Sequence, residues 1–298
     1  MYGYGKITIK FITPFISELQ SDTIFGHFAW GLRYKNEKKL NKLMQNFKKE
    51  PFIVFSDGFL KGFLPKPIFS SFLPGCSELK YAKQVKKAKY IKKEEIFKNI
   101  DSLDAKKVFK VIKNQEIEAS SKVALTQKNS INRFSNLVEE GLYTIKEKFS
   151  EDRYEIYFKY RSDLINEEEI EKIFKIISKM GYGKDRSTGK GRFKFRIDWD
   201  FEEKKYFIEK RTFYLNLSTC FYNTENMRLI YGKTITKFPR AGGIYSNEPF
   251  KNPAIMYLPG SIFIVNGEVI GGAENLYNKT NHYQNGFSVG IYFNGEIQ

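Results

Sequence analysis

The chain has 298 residues, 41% hydrophobic and 28% charged, which is enough to bury a sizeable core and too apolar for a disordered chain. Fifty Lys and Arg against 34 Asp and Glu leave a formal net charge of +16, which points to a polyanionic partner without separating RNA, DNA and anionic membrane. Two cysteines (Cys76, Cys220) and two histidines (His27, His282) lie scattered along the chain, so neither a zinc site nor any other metal or cofactor is expected.

The opening stretch Met1 to Lys10 alternates like a strand and lacks the apolar block of a signal peptide. No apolar run approaches the about 20 residues of a membrane span, so a cytoplasmic chain with no membrane partner is expected. Ile7, Ile9 and Phe11 share one face of a strand over Lys6–Phe11. Ser21 or Asp22 is placed to cap a helix over Thr23–Tyr34, whose Ile24, Phe25, Phe28 and Leu32 form an apolar stripe.

An insertion follows, from about Phe52 to Asp152. Residues 51 to 75 carry Pro51, Pro65, Pro67 and Pro74 among aromatics and read as an irregular packed connection. Leu79 to Lys113 holds twelve lysines against four acids, on one or two helices that face either water or a polyanion. Ser120 to Tyr143 is polar and reads as a hairpin or flexible arm.

Tyr154–Tyr160 is a second strand. Asn166 and Glu169 then form a capping box for a helix lined by Ile170, Ile173, Phe174 and Ile177, which Gly181 ends in a left-handed conformation. Arg192–Ile197 alternates as a third strand. With one more strand hidden in the insertion, the order fits a ferredoxin-like βαββαβ domain over residues 1–198, the scaffold of RNA-recognition modules. A hinge near Asp198 to Lys205 leads to a smaller β-rich domain over 205–298. Its strands are Phe213–Leu217, Ser261–Val265 and Phe287–Phe293, with turns at Gly242-Gly243 and Gly271-Gly272. The fold class expected is α+β.

The most specific segment is GYGKDRSTGKGRF, Gly181 to Phe193. It is not a Walker A loop: five residues separate Gly183 from Gly189, and Gly191 stands where the magnesium-binding hydroxyl belongs. It also leaves a helix and enters a strand, whereas a P-loop runs from strand to helix. Single-stranded RNA suits these residues better. Gly181, Gly183, Gly189 and Gly191 allow a phosphodiester to approach the backbone, Lys184, Arg186, Lys190 and Arg192 bring charge, and Ser187 and Thr188 bring hydroxyls. The alternative is a structural turn whose cations face water, against which stand six cations and one acid between Lys184 and Arg196.

This loop resembles the glycine-rich loop of the RAMP proteins of CRISPR systems. Further stretches are similar to the fourth Csm subunit of type III-A effector complexes: Ser21-Asp22-Thr23-Ile24-Phe25, Asn129-Ser130-Ile131-Asn132-Arg133 with Glu140 to Tyr143, and Pro259 to Phe263. The resemblance implies a non-catalytic subunit that grips the 5′ handle of the guide RNA, docks the large polymerase-domain subunit and abuts the backbone Csm subunits. It further implies an arm pressed into the guide–target duplex and no small-molecule substrate. By position, residues 184 to 192 fall on the handle, and Asn132, Arg133 and Phe134 on or near the arm. The family's Asp falls on Asp22, for which capping suffices as a role. Asn281 to Gly286 matches the family's aromatic and basic segment only loosely.

Two other functions fit the same residues. A guide-processing RAMP endoribonuclease needs a general base near a ribose 2′-hydroxyl, and His27 is the one candidate in the first domain. A general basic RNA-binding protein shares the charge and the fold without obligate partners.

Overall fold

The computed structural model describes residues 2–69, 85–115, 120–132, 134–135, 138–242, 250–277 and 283–296. Helices α1 (Ser21–Gln45), α2 (Lys93–Lys98), α3 (Ala105–Asn114) and α4 (Glu167–Met180) accompany two principal antiparallel sheets. The first is built from β1 (Tyr2–Phe11), β2 (Ile53–Phe55), β3 (Arg153–Arg161) and β4 (Phe193–Asp198), in the spatial order β2-β3-β1-β4. The second is built from β5 (Phe213–Asn216), β6 (Met227–Tyr231), β7 (Ile262–Val265) and β8 (Gly290–Phe293), in the order β6-β7-β5-β8. Numbered within its own sheet, each therefore runs 2-3-1-4, with every neighbouring pair antiparallel. The molecule is mixed α and β.

Helix α1 shows what fixes the first layer. Its buried Ile24, Phe25, Phe28 and Leu32 recur at helical spacing and face the sheet. Gly31 lets α4 approach: a methyl group there would lie 2.9 Å from a methyl carbon of Ile173. The helix outruns its expected end at Tyr34 and reaches Gln45. Its backbone breaks at Asn36 (φ −158°, ψ 88°), whose side chain accepts the Lys39 amide at 2.9 Å and so restarts the helix. The capping box of α4 is formed as the sequence indicates, with Asn166 accepting from the Glu169 amide at 2.9 Å and Glu169 accepting from the Asn166 amide at 3.3 Å. Gly181 does carry a positive φ of 91°, but its ψ of 157° lies outside the left-handed helical region.

The hidden strand of the insertion is β2, three fully buried residues against Tyr160, Lys159 and Phe158. Residues 51 to 69 are accordingly less irregular than their prolines indicate. Phe59–Leu60 extends the sheet edge beside β3, and Phe63–Pro65 pairs with Tyr90–Lys92. In α3, Val108 and Ile112 point inward while Lys106, Lys110 and Lys113 are exposed. Lys93 turns inward: its ammonium lies 2.5 Å from Glu203 and 3.3 Å from Glu155 in a mostly buried cluster completed by Lys6.

The segment expected as a hinge is packed. Phe201 and Phe207 are buried against Tyr157, on the face of β3 opposite α1 and α4. One continuous core joins the halves: Leu215, Leu217, Ile291 and Phe293 belong to the same buried cluster as Ile7, Phe28 and Phe55. Gly271-Gly272 is not a turn either, since both residues lie in a ribbon strand (Gly271–Asn275) paired with Tyr283–Phe287.

Candidate nucleic-acid interface

The glycine loop crosses between α4 and β4 against the segment 13–17 and helix α1. Its amides are largely consumed by protein acceptors. Tyr182 donates to the Gly191 carbonyl (2.9 Å), Gly183 to His27 Nε2 (2.9 Å), Lys184 to Ser17 Oγ (2.9 Å), Gly191 to the Pro14 carbonyl (2.8 Å) and Arg192 to Thr13 Oγ1 (2.9 Å). Gly189 and Lys190 close a short turn onto Arg186 and Asp185. Only the successive amides of Asp185, Arg186 and Ser187 have no hydrogen-bond partner among the described residues.

This corrects part of the expectation. Gly181 and Gly191 are buried and serve close backbone crossings. A methyl on Gly181 would stand 2.2 Å from the Lys190 carbonyl oxygen, and one on Gly191 2.1 Å from that of Tyr182. Gly183, half-buried, faces the Ser17 side chain, where a methyl would stand 2.6 Å from Cβ and Oγ. Of the four loop glycines, Gly189 alone combines its positive φ (87°) with open space. The glycines thus let the loop fold on itself, and the surface it offers is its outer rim. There Lys184, Ser187, Thr188 and Arg192 are exposed, with Thr188 Oγ1 donating back to the Asp185 carbonyl.

Two of the four expected cations are engaged. Lys190 Nζ lies 2.9 Å from Glu147, whose carboxylate is buried in the arm, and Arg186 packs against His27 with 3.4 Å between the guanidinium and Nδ1. The arm is a long hairpin, Lys122–Ile131 paired with Val138–Phe149. Its Lys128 reaches Asp185 at 3.1 Å and Glu147 at 3.8 Å. Loop and arm, read separately in the sequence, are therefore one charged assembly. Lys128 and Glu147 are the members that sequence reasoning missed, and an alternating hairpin carries no local mark of which loop it will touch.

At the arm's tip Asn132 Oδ1 accepts the amides of Phe134 (2.8 Å) and Ser135 (3.1 Å), a local turn that leaves the Phe134 side chain fully exposed (100%). Arg133 lies outside the described residues, as do Cys76, His282 and Gly243.

His27 holds the loop instead of offering a base. Its Nε2 lone pair accepts the Gly183 amide, and burial, with Arg186 adding to it, pushes its pKa down to about 3. With Nε2 as acceptor, the neutral ring carries its proton on Nδ1 and has no lone pair left for a ribose hydroxyl.

Asp22 is not a cap. Helix α1 begins at Ser21, and the carboxylate that accepts the Ser21 amide is that of Asp57, 36 residues away. Asp57 also accepts the Thr219 amide and hydroxyl at 2.8 Å each. Burial raises its pKa to about 6, against the lowering effect of these three donors. Asp22 lies inside the helix, where it accepts Lys237 Nζ at 2.6 and 2.7 Å and Gln284 Nε2 at 2.7 Å. The loosely matching C-terminal segment thus supplies Gln284 to the motif's carboxylate.

Among the described residues no group of three His, Cys, Asp or Glu could hold a metal ion, and no helix is long and apolar enough to cross a membrane. Cys220 is free and buried, and burial drives its thiol pKa far up, so it is unreactive.

No protein-family profile matches the chain, and no curated protein matches it. Solved structures do. A chain of a Csm1–Csm4 cassette crystallised with pppApA aligns with a TM-score of 0.59 and 16% identity, over 99% of this chain and 100% of that one. A chain of a Csm3–Csm4 subcomplex from the type III-A CRISPR-Cas interference complex aligns with a TM-score of 0.61 and 18% identity, over 97% and 99%. A Csm1–Csm4 cassette with cA4 gives 0.60, 16%, 98% and 99%. Csm4 is the component these three share. The likeness runs end to end and establishes a common fold.

Proposed function

We propose that this chain is a non-catalytic, RNA-holding subunit of a type III-A CRISPR interference complex, standing in the place of Csm4. The observation that carries the reading is the end-to-end likeness to chains from Csm1–Csm4 and Csm3–Csm4 assemblies, in a molecule whose glycine loop turns exposed cations outward. Both sheets are read as ferredoxin-like, residues 1–198 with the large insertion and 205–298 as a smaller, degenerate and β-rich copy. The shared 2-3-1-4 strand order supports this.

In this role the rim formed by Lys184, Ser187, Thr188 and Arg192, with the three unused amides at Asp185 to Ser187, holds phosphates of the guide's 5′ handle. Gly181, Gly183, Gly189, Gly191, Lys190 and Arg186 shape and brace that rim. Asn132, Arg133 and Phe134 present the arm to the guide–target duplex, Phe134 as an exposed ring for stacking. The large polymerase-domain subunit and the backbone Csm subunits are the protein partners. The Gly183 amide occupies the one lone pair of the neutral His27 ring, which argues against the endoribonuclease alternative.

Co-expression with the other Csm subunits and a repeat-spacer RNA tests the reading. The chain is expected to enter a complex that contains guide RNA, and to leave repeat RNA uncut. Stable purification alone with no RNA and no Csm partner bound, or specific cleavage abolished by His27→Ala, would overturn it.

A further inference from the structure

Helix α1 carries a second line of groups beyond the loop. His27, Trp30 and Tyr34 follow one another at helical spacing, so the face that meets the glycine loop at His27 continues outward through two aromatic rings. Trp30 and Tyr34 lie 5.9 Å apart, tilted by 37°, and Arg33 stands 5.0 Å from the Trp30 ring. Tyr34 is 56% exposed.

The two-stranded ribbon Thr234–Lys237 and Ala254–Tyr257 arrives at the same place. Lys237 ties its end to Asp22 in the first turn of α1, and the backbone of Gly242 passes Trp30 so closely that a methyl there would lie 3.4 Å from the indole nitrogen. Just past the ribbon Arg240 bridges to Phe250 and lies 4.8 Å from its ring. Phe238 and Phe250 are 71% and 67% exposed. Between Arg228 and Tyr257 the described residues include Arg228, Lys233, Lys237, Arg240 and Lys251, and no acid. On the helix part Arg33 pairs with Glu37 at 2.7 Å.

We infer that Trp30, Tyr34, Phe238 and Phe250, interleaved with Arg33 and Arg240, form a stacking surface for unstacked bases of single-stranded RNA leaving the glycine loop. Exposed aromatic rings alone would equally suit a protein. Trp30 beside Arg33 and Phe250 beside Arg240, among the described lysines of this stretch, match the stack-and-neutralise chemistry of a single strand. The surface rests on the RNA reading of the loop and extends it along α1.

Anisotropy titrations of the full chain with short fluorescein-labelled oligoadenylate, at several salt concentrations, test it. Tyr34→Ala and Phe250→Ala alter exposed rings and should fold normally, checked by circular dichroism. Each is expected to weaken binding about 5- to 150-fold with the salt slope unchanged, because stacking releases no counterion. In a Trp199→Phe chain, Trp30 is the sole indole, and its emission should be quenched by the RNA. Native-like variants with wild-type affinity, while Lys184→Gln still flattens the slope, would overturn the stacking surface and leave the loop standing. So would RNA binding that stays intact while a partner Csm subunit is lost, which would make the surface a protein dock. Absence of any RNA binding by the wild type would reject both readings.

Discussion

Lys237 places its ammonium 2.6 and 2.7 Å from the two carboxylate oxygens of Asp22, although 215 residues separate them. The carboxylate side chain is 3% exposed and the lysine 12%, and Gln284 completes the site from a third segment. A buried pair of this kind is costly to break, because the surviving charge is left desolvated. Lys237→Met is expected to lower stability by about 3–5 kcal/mol in urea unfolding. The double variant Asp22→Asn/Lys237→Met should lie closer to the wild type than Lys237→Met does. A cost below about 1 kcal/mol for Lys237→Met would mean that the pair does not couple the two halves.

His27 gives the fold a defined response to acid. Its pKa is about 3 in the folded chain against an ordinary value near 6.5, so below pH 6.5 the unfolded state binds the proton first. Stability from this group is complete above pH 6.5 and is lost as pH falls toward 3. Asp57, raised to about 6, acts in the opposite sense, gaining stability as pH falls through 6. His27→Gln separates the two, since the amide oxygen can still accept the Gly183 N–H. Between pH 7 and 5 the wild type should lose more stability than His27→Gln, with the gap closing above pH 7. Parallel profiles would show that His27 stays solvated.

The loop's glycines should not be equivalent. Gly189→Ala meets open space and carries only a left-handed backbone penalty of about 1–2 kcal/mol. Gly191→Ala adds a methyl 2.1 Å from the Tyr182 carbonyl oxygen at a φ of 70°, and should cost about 2–5 kcal/mol. Equal thermal midpoints for the two variants would contradict the self-crossing geometry.

Phe134, fully exposed at the arm's tip, should matter for binding and not for folding. Phe134→Ala is expected to leave stability within about 0.5 kcal/mol of wild type and to weaken binding to RNA duplexed with a guide by about 1–3 kcal/mol. Loss of stability with intact binding would reverse the assignment.

Some local signals read correctly, while those for a turn at Gly271-Gly272 and a helix end at Tyr34 do not. The alternation of Ile7, Ile9 and Phe11 and the Asn166–Glu169 capping box both specify elements from neighbours in sequence. Ser120 to Tyr143 reads as either a hairpin or a flexible arm, and is the greater part of a hairpin that runs from Lys122 to Phe149. Strand β2 is not legible, because three residues buried on both faces have no period to detect. Asp22 resembles a cap because it stands at a helix start. Asp57, which accepts the Ser21 amide, and Lys237, which neutralises Asp22, come from far along the chain and leave no trace nearby. The same holds for Lys190: its charge is visible in the sequence, and Glu147, which cancels it, is not.

The grip on RNA is tested most directly by the salt dependence of binding. Lys184 and Arg192 are the exposed cations of the rim, so Lys184→Gln/Arg192→Gln should weaken binding of single-stranded RNA. The slope of log Kobs against log salt should also become shallower by about 0.7 for each phosphate that the variant no longer neutralises. An unchanged affinity and slope in a natively folded double variant would mean that the rim faces water or protein, and that the RNA lies elsewhere.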